Sequence, residues 1–346
     1  MATQKIPYVR LGNSGLKVSR IILGTLQYGD KKWQEWFLDE EQAVEHIKTA
    51  YELGIQTFDT ANMYSNGLSE IILGNAIKKL NLPREELVIM TKVYFPVHPD
   101  HGVNILTAGL SPDDIGLVNQ HGLSRKAIFS AVKASLERLQ MDYIDVLQCH
   151  RFDDGTPIAE TMQALHDVVQ AGYVRYIGMS SCYAYQFHQM QNYAIAHDLT
   201  PFISMQNHYN LIYREEEREM MPTLKMFGVG ATPWSPLARG LVTRPWSDKS
   251  SHRGETDWFI SRYNEAPGTK NVVSRVEEVA KKRGISMTQV SIAWLLSKDY
   301  ITAPIVGTTK MDNLRDIVAG VHVKLTEEEI KFLEEPYVTC GIIEHQ

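Results

Sequence analysis

Short apolar runs of β-forming residues alternate with amphipathic stretches along almost the whole chain, and this alternation limits the fold more than any other feature. The eight runs lie near residues 21–24, 57–59, 88–91, 144–148, 174–179, 203–206, 228–232 and 303–306. Helical stretches follow them, for example after Ser124, which is suited to cap a helix. Strands that alternate with helices are typical of a parallel sheet, so the sequence predicts the α/β class.

Eight such units in 346 residues favour a (β/α)8 barrel, a fold that usually takes about 200 to over 400 residues. An open, doubly wound sheet is the alternative, and a GxGxxG turn after the first strand would favour it. Gly12, Gly15 and Gly24 have the wrong spacing for that turn, so the barrel is preferred. No linker or repeat interrupts the pattern, and we expect a single domain over residues 1–346.

Three further segments lie outside the repeating units. The runs 9–11 and 16–18 flank a turn of Gly-Asn-Ser-Gly, which predicts a β-hairpin ahead of the barrel. The segments 94–123 and 237–269 are much longer than usual βα connections of about 2–6 residues. Because both follow strands, we expect them on the C-terminal rim, where the active sites of such barrels are built.

The charge balance and the cysteines exclude several classes of function. With 41 acidic and 35 basic residues the net charge is −6, which argues against a nucleic-acid binder. The 3 cysteines form no CxxC pair, so we expect no disulfide framework, no metal site and a cytoplasmic location. The longest stretch without charge, between Arg175 and Asp198, is rich in polar residues, and we expect no membrane insertion.

Four polar residues are placed where they could form one reaction site. Asp59, Lys92 and His150 stand at or just after the carboxyl ends of predicted strands, and Tyr64 follows Asp59 closely. Taken singly, each has an ordinary structural alternative, such as a helix cap, a solvated cation, a core histidine or a loop anchor. Together, a lysine lowers the pKa of a tyrosine, usually about 10, and an aspartate holds the ammonium in place. A nearby histidine can orient a substrate oxygen, so the set suits reduction of a carbonyl by hydride.

On these residues the chain resembles the aldo-keto reductase superfamily, over nearly its whole length. The run 58–64, Phe-Asp-Thr-Ala-Asn-Met-Tyr, is similar to the family's signature around its catalytic aspartate and tyrosine. Lys92 and His150 match the other two members of that set, so the resemblance implies that all four residues are catalytic. The tract 234–241, Trp-Ser-Pro-Leu-Ala-Arg-Gly-Leu, is similar to the branch that holds aryl-alcohol dehydrogenases and potassium-channel β subunits.

The resemblance also implies NADP(H) as the cofactor, bound extended across the rim without a Rossmann turn. Ser180 and Gln206 match positions that contact the nicotinamide carboxamide. A helix from about Met311, preceded by Lys310, is similar to the family's clamp for the adenosine phosphate. The residues implied in cofactor binding are Gly24, Thr25, Asp59, Ser180, Ser181, Gln206, Trp234, Ser235, Leu237, Arg239, Gly240, Gly307, Thr309, Lys310 and Asn313.

Three of these positions differ from the residues usual in the family, among them Asn313, where the family often has glutamine or arginine. Ser181 stands where the family usually has asparagine, and Trp234 stands where this branch usually has the tyrosine that stacks on the nicotinamide. A tryptophan face can still stack on a flat ring, so we expect the geometry of hydride transfer to survive. Arg239 is expected at the cofactor pyrophosphate.

The leading hypothesis is an NADPH-dependent reductase of aldehydes, with ketones as a further class, in which Tyr64 protonates the carbonyl oxygen. The implied substrate residues are Trp33, Tyr64, His150 and Trp258, and the partner expected is a small carbonyl compound. An NAD-linked alcohol dehydrogenase is a variant of this hypothesis. A cofactor-bound regulatory subunit with little turnover, similar to the channel β subunits, is the alternative. A hydrolase with two carboxylates about 5–10 Å apart is a third hypothesis, with Asp59 as one of them.

Overall fold

The computed structural model describes residues 5–248, 256–257, 259–343 and 345, and its strands form two sheets. A short antiparallel sheet pairs β1 (Tyr8–Arg10) with β2 (Lys17–Ser19). The larger sheet has eight parallel strands, β3 (Ile22–Gly24), β4 (Thr57–Asp59), β5 (Val88–Val93), β6 (Ile144–Cys149), β7 (Val174–Ser180), β8 (Phe202–Gln206), β9 (Gly230–Ala231) and β10 (Ile305–Val306). They pair in chain order from β3 to β9, and β10 returns to pair with β3.

Backbone hydrogen bonds between the segment that ends in β10 and the segment that begins in β9 close the larger sheet. Thr302 N donates to the carbonyl oxygen of Ala231 at 2.9 Å, and Ile305 N donates to that of Pro233 at 2.9 Å. β9 therefore contacts β8 on one side and the segment that ends in β10 on the other, so the eight strands form a barrel. The predicted (β/α)8 fold and the hairpin are confirmed.

Helices connect successive strands and surround the barrel. Their bounds are α1 (Glu40–Glu52), α2 (Leu68–Lys79), α3 (Ile105–Ala108), α4 (Arg125–Leu139), α5 (Ile158–Gln170), α6 (Ala184–Ala196), α7 (Met220–Phe227), α8 (Ile260–Glu265), α9 (Thr269–Arg283), α10 (Met287–Leu296), α11 (Met311–Gly320) and α12 (Glu327–Glu334). As predicted, Ser124 caps α4, since its side chain accepts a hydrogen bond from Ala127 N. Within the described ranges, no helix has the length and apolar character needed to cross a bilayer.

Two parts of the chain differ from the sequence prediction. The sequence predicts one helix near 215–226, whereas the structure has a 3-10 turn, Glu215–Glu217, followed by α7, which begins at Met220. The hydroxyl of Tyr337 donates to the Glu215 carboxylate at 2.6 Å. A contact between residues so far apart in the chain cannot be predicted from the local spacing of apolar residues. The long connections predicted as loops contain α3, α8 and a 3-10 segment over Ala238–Thr243.

Side chains along the central strands alternate between the barrel interior and the surrounding helices. An apolar cluster joins the hairpin to the strands at their amino ends, and its members are Leu11, Val18, Ile22, Val88, Met90, Val146, Ala303 and Ile305. Lys92 and Gln148 continue the same faces of β5 and β6, two residues beyond Met90 and Val146. The interior is therefore apolar at one end and polar at the carboxyl ends of the strands.

Gly74 on α2 marks a close contact between α2 and α4. A Cβ atom at this position would lie 2.5 Å from the carbonyl oxygen of Leu139. We predict that Gly74→Ala destabilises the protein by about 1–3 kcal/mol, the usual cost of overpacking, although alanine normally favours a helix. The midpoint of urea unfolding measures the effect. Gly15→Ala is the control, because no atom lies within 4 Å of its Cβ position. An unchanged midpoint for Gly74→Ala would contradict the prediction.

Candidate active site

A buried ion pair joins the carboxyl ends of β4 and β5. Lys92 Nζ donates to Asp59 Oδ2 at 2.5 Å, and the two side chains are only 0% and 2% exposed. The same ammonium donates to the carbonyl oxygen of Thr60 at 2.8 Å and to the hydroxyl oxygen of Tyr64 at 3.2 Å. An ammonium has three donors, so each Lys92 donor has a partner.

The second carboxylate oxygen of Asp59 is held by two glutamines from neighbouring strands. Gln148 Nε2 and Gln206 Nε2 each donate to Asp59 Oδ1 at 2.9 Å. Gln206 Nε2 also lies 2.9 Å from Gln148 Oε1. Both oxygens of Asp59 are thus engaged. Burial lowers the pKa of Lys92, but Asp59 and Tyr64 together raise it by more, so the lysine stays charged.

The hydroxyl of Tyr64 is less acidic than the sequence predicts. Burial raises the pKa of Tyr64, and the Lys92 ammonium lowers it by less, so the net shift is upward from the ordinary value. Lys92 lowers the pKa of Tyr64 as predicted, but the larger effect of burial makes the net direction the opposite of the predicted one. Its physical reason is desolvation, whose size depends on the packing around the ring. A phenol that keeps its proton at neutral pH is a hydrogen-bond donor and an acid, which is what carbonyl reduction requires.

The loop that carries Tyr64 is held in an unusual backbone conformation. Ser65, Asn66 and Gly67 have φ angles of 46°, 49° and 89°, all in the left-handed region, which is costly for residues with a Cβ atom. Asn66 Nδ2 donates to the carbonyl oxygens of Asp100 and Val103 at 2.7 and 2.6 Å. These bonds tie the Tyr64 loop to the long connection after β5.

His150, which follows β6, lies beside Tyr64. The two rings meet edge to face with centroids 5.9 Å apart, and Phe95 approaches His150 in the same manner at 5.1 Å. Burial, Lys92 and Arg151 hold the pKa of His150 well below its usual value. The imidazole is therefore neutral at neutral pH and can offer one N–H to a substrate oxygen. Its Nδ1 is buried and has no hydrogen-bond partner within the described part of the chain.

The structure brings the four residues predicted as catalytic into one site at the C-terminal rim, where the residues predicted to bind the cofactor also lie. Gly24, Ser180 and Gln206 are the last residues of β3, β7 and β8, while Thr25 follows β3 and Ser181 follows β7. The others follow the last two strands of the barrel, namely Trp234, Ser235, Leu237, Arg239 and Gly240 after β9, and Gly307, Thr309, Lys310 and Asn313 after β10.

Several of these side chains have protein partners that the sequence does not show. Thr25 Oγ1 lies 2.8 Å from the hydroxyl of Ser69. Ser180 Oγ donates to the carbonyl oxygen of Gln206 at 2.9 Å, and Trp234 Nε1 donates to Ser181 Oγ at 2.9 Å. Gln206 was expected at the carboxamide, and its amide nitrogen here points to Asp59.

Arg239 is paired with an aspartate of the second long connection. Its Nη1 lies 2.8 Å from both carboxylate oxygens of Asp257, and the guanidinium carbon lies 4.1 Å from the centroid of the Phe259 ring. Arg239 Nε is buried without a hydrogen-bond partner among the described residues. The Nε–H is therefore a donor of the guanidinium that an anion could engage.

Comparison with known proteins identifies the class of enzyme that carries this site. The family model described as Aldo/keto reductase family matches residues 20–337. The chain belongs to the aldo/keto reductase family. Versiconal hemiacetal acetate reductase of Aspergillus parasiticus is 51% identical, over 97% of this chain and 98% of that protein. A putative aryl-alcohol dehydrogenase of Schizosaccharomyces pombe is 50% identical, over 97% of each chain. An aldo-keto reductase of Metarhizium robertsii is 48% identical, over 99% of this chain and 94% of that protein.

These matches confirm the resemblance to aldo-keto reductases and aryl-alcohol dehydrogenases. The aldo/keto reductase is an oxidoreductase, and its relatives support a carbonyl reductase role. The hydrolase hypothesis is not supported, since both oxygens of Asp59 are held by Lys92 and the two glutamines.

Of the predicted substrate residues, Trp33 lies in the connection after β3 and stacks on Phe37 with centroids 5.2 Å apart. Trp258 lies outside the described residues. Sequence reasoning missed Gln148, Asn66 and Phe95. Gln148 could have been found from the sequence, because residues two positions apart on a strand share a face, and Gln148 is a polar residue two positions before His150. Asn66 and Phe95 act through contacts between loops, which the sequence pattern does not indicate.

Removal of Lys92 from this aldo/keto reductase would leave a buried carboxylate without its cation. We predict that Lys92→Met destabilises the protein by about 3–5 kcal/mol, as breaking one side of a buried ion pair usually does. Urea unfolding followed by circular dichroism measures the loss. The double variant Lys92→Met, Asp59→Asn should recover part of it, because the second buried charge is removed too. A single variant as stable as the unmodified protein would show that the ion pair does not stabilise the fold.

Proposed function

We propose that this aldo/keto reductase reduces aldehydes, and ketones as a further class, to alcohols with NADPH as the hydride donor. The observation that carries the proposal is the contact of Lys92 Nζ with both Asp59 Oδ2 and the Tyr64 hydroxyl, at 2.5 and 3.2 Å. A tyrosine that is partly buried, protonated and in contact with a fixed cation is suited to protonate a carbonyl oxygen. The proposal includes a single barrel domain over residues 1–346 and a cytoplasmic location.

In the proposed mechanism Tyr64 is the general acid. Its hydroxyl transfers a proton to the substrate oxygen as negative charge develops there, and the Lys92 ammonium stabilises the phenolate that remains. Asp59 fixes the ammonium and offsets its charge before the reaction. His150, which is neutral, donates a hydrogen bond to the substrate oxygen and sets its direction. NADPH, when bound, supplies the hydride that reduces the carbonyl carbon.

The residues at the rim suit an extended dinucleotide phosphate. One face of Trp234 lies on His208, with centroids 4.2 Å apart, and the indole remains partly exposed for a flat ring. The N-terminus of α11, which begins after Lys310, has no side-chain cap, so its backbone N–H groups are open to an anion. Lys310 adds positive charge there, which favours NADPH over NADH through the additional phosphate. Arg239 Nε adds one further donor.

We predict that Tyr64→Phe lowers kcat for carbonyl reduction by about 100-fold or more, the contribution of a positioned general acid. Binding of NADPH should change little, because the ring remains and only the hydroxyl is lost. Oxidation of NADPH and of NADH is followed by absorbance with a panel of aromatic and aliphatic aldehydes, ketones and alcohols. Tyr193→Phe, on the outer helix α6, is the matched control and should keep full activity.

The same measurements separate the two functional hypotheses. An enzyme gives turnover with at least one carbonyl compound that depends on Tyr64. A regulatory subunit would bind NADPH and give little turnover with every compound of the panel. Unchanged turnover in Tyr64→Phe would contradict the proposed mechanism.

The dependence on pH follows from the protonation of Tyr64. Reduction requires the protonated phenol, so its rate is full below the pKa of Tyr64 and is lost as the pH rises through it. Because burial raises that pKa above the ordinary tyrosine value, we predict that kcat for reduction is constant from neutral to mildly alkaline pH. Oxidation of the alcohol requires the phenolate, so its kcat should rise with pH over the same range. Circular dichroism at each pH is the control for unfolding, and a fall in the reduction rate near neutral pH would contradict the prediction.

A further inference from the structure

Three aromatic rings form a column that ends at the proposed nicotinamide site. Trp234 stacks on His208 with centroids 4.2 Å apart and planes 12° apart, and His208 stacks on Tyr213 with the same spacing and planes 11° apart. Phe259 lies edge-on to both His208 and Trp234, at 5.8 and 6.0 Å, so it borders the column at its side. We call Tyr213, His208 and Trp234 the aromatic column.

The middle ring of the aromatic column is fixed by hydrogen bonds and is neutral. His208 Nε2 is hydrogen-bonded to the Tyr263 hydroxyl and lies 3.3 Å from Asn210 Nδ2. Asn210 Nδ2 also donates to the carbonyl oxygen of Ser235 at 3.0 Å, next to Trp234 in the chain. Burial and the charge of Arg239 hold the pKa of His208 well below its usual value. The support beneath the indole therefore has a fixed position and no charge at neutral pH.

Stacking fixes the plane of the indole but not its rotation within that plane, because dispersion between flat rings has little direction. The directional contact is the hydrogen bond from Trp234 Nε1 to Ser181 Oγ, at 2.9 Å. Ser181 is almost fully buried at 1% exposure and directly follows β7, and its own N–H donates to the carbonyl oxygen of Gln206 at 3.3 Å. The acceptor of the indole N–H is thus fixed to the end of the barrel sheet.

We propose that Ser181 is a positioning residue that sets the orientation of Trp234, and through it the plane and lateral position of the nicotinamide ring. The inference rests on the proposed function. The structure shows that Ser181 and Trp234 are hydrogen-bond partners. The serine supplies the acceptor that the indole N–H requires in a partly buried site.

The test is a double-mutant cycle of Ser181→Ala and Trp234→Phe. Alanine keeps the Cβ atom and removes only the hydroxyl, and phenylalanine keeps a flat ring and removes the N–H donor. Ser181→Ala should increase the dissociation constant of NADPH and lower kcat. The product of the two changes should be about three- to tenfold, the equivalent of one neutral hydrogen bond. In the Trp234→Phe background the same change should have no effect, since its partner is absent.

Two measurements follow the cycle. Calorimetric titration with NADPH gives the dissociation constant without any turnover, and NADPH deuterated at the transferred position gives the isotope effect on kcat. A misplaced nicotinamide slows hydride transfer, so the isotope effect should increase in Ser181→Ala. Ser181→Asn should restore both values, because asparagine has an acceptor oxygen and tolerates the left-handed φ of 42° at this residue. Ser135→Ala on α4 removes another fully buried hydroxyl and should change neither value.

Equal losses from Ser181→Ala in the two backgrounds would overturn the inference, because the hydroxyl would then act independently of the indole. A failure of Ser181→Asn to restore binding would also count against it. An unmodified protein that binds NADPH but turns over no carbonyl compound would contradict the proposed function alone, since the calorimetric cycle still decides the role of Ser181.

Discussion

The buried ion pair of Lys92 and Asp59 is the interaction on which the active site depends. Each charge would cost several kcal/mol to desolvate alone, so both persist only because every donor of the ammonium and both carboxylate oxygens have partners. One of those partners is the hydroxyl of Tyr64, so the network that stabilises the charges also fixes the proposed acid. Stability and the proposed catalysis therefore depend on the same set of atoms, and a change in one member of the set affects the others.

The position of Tyr64 is determined from two sides. Lys92 holds the hydroxyl from within the barrel, while Asn66 holds the backbone of the loop from outside through the segment 98–103. The left-handed residues after Tyr64 are conformationally costly, and the hydrogen bonds of Asn66 offset that cost. The long connection after β5 is thus part of the support of the site as well as a wall of the rim.

The strand count, the hairpin, the rim location and the four central residues could be predicted from the sequence, because apolar runs and strand-end polarity are local signals. The direction of the Tyr64 pKa could not, since desolvation depends on packing by residues distant in the chain. The same reason applies to Glu215, whose turn is set by Tyr337, and to Gln206, whose amide is taken by Asp59. Local patterns thus predict which residues reach the rim, whereas tertiary contacts decide which atoms remain free there.

Arg239 shows how far that distinction extends into cofactor binding. In the sequence it is one cation near a proposed diphosphate, but in the structure its Nη1 is held by both oxygens of Asp257. An anion that approaches Arg239 must therefore share the guanidinium with a carboxylate, at a cost in repulsion, or replace it. Asp257 also accepts a hydrogen bond from Phe259 N, and Phe259 borders the aromatic column beside Trp234. Contacts at the proposed diphosphate end of the rim and the stacking surface at the proposed nicotinamide end are accordingly connected through a single short segment.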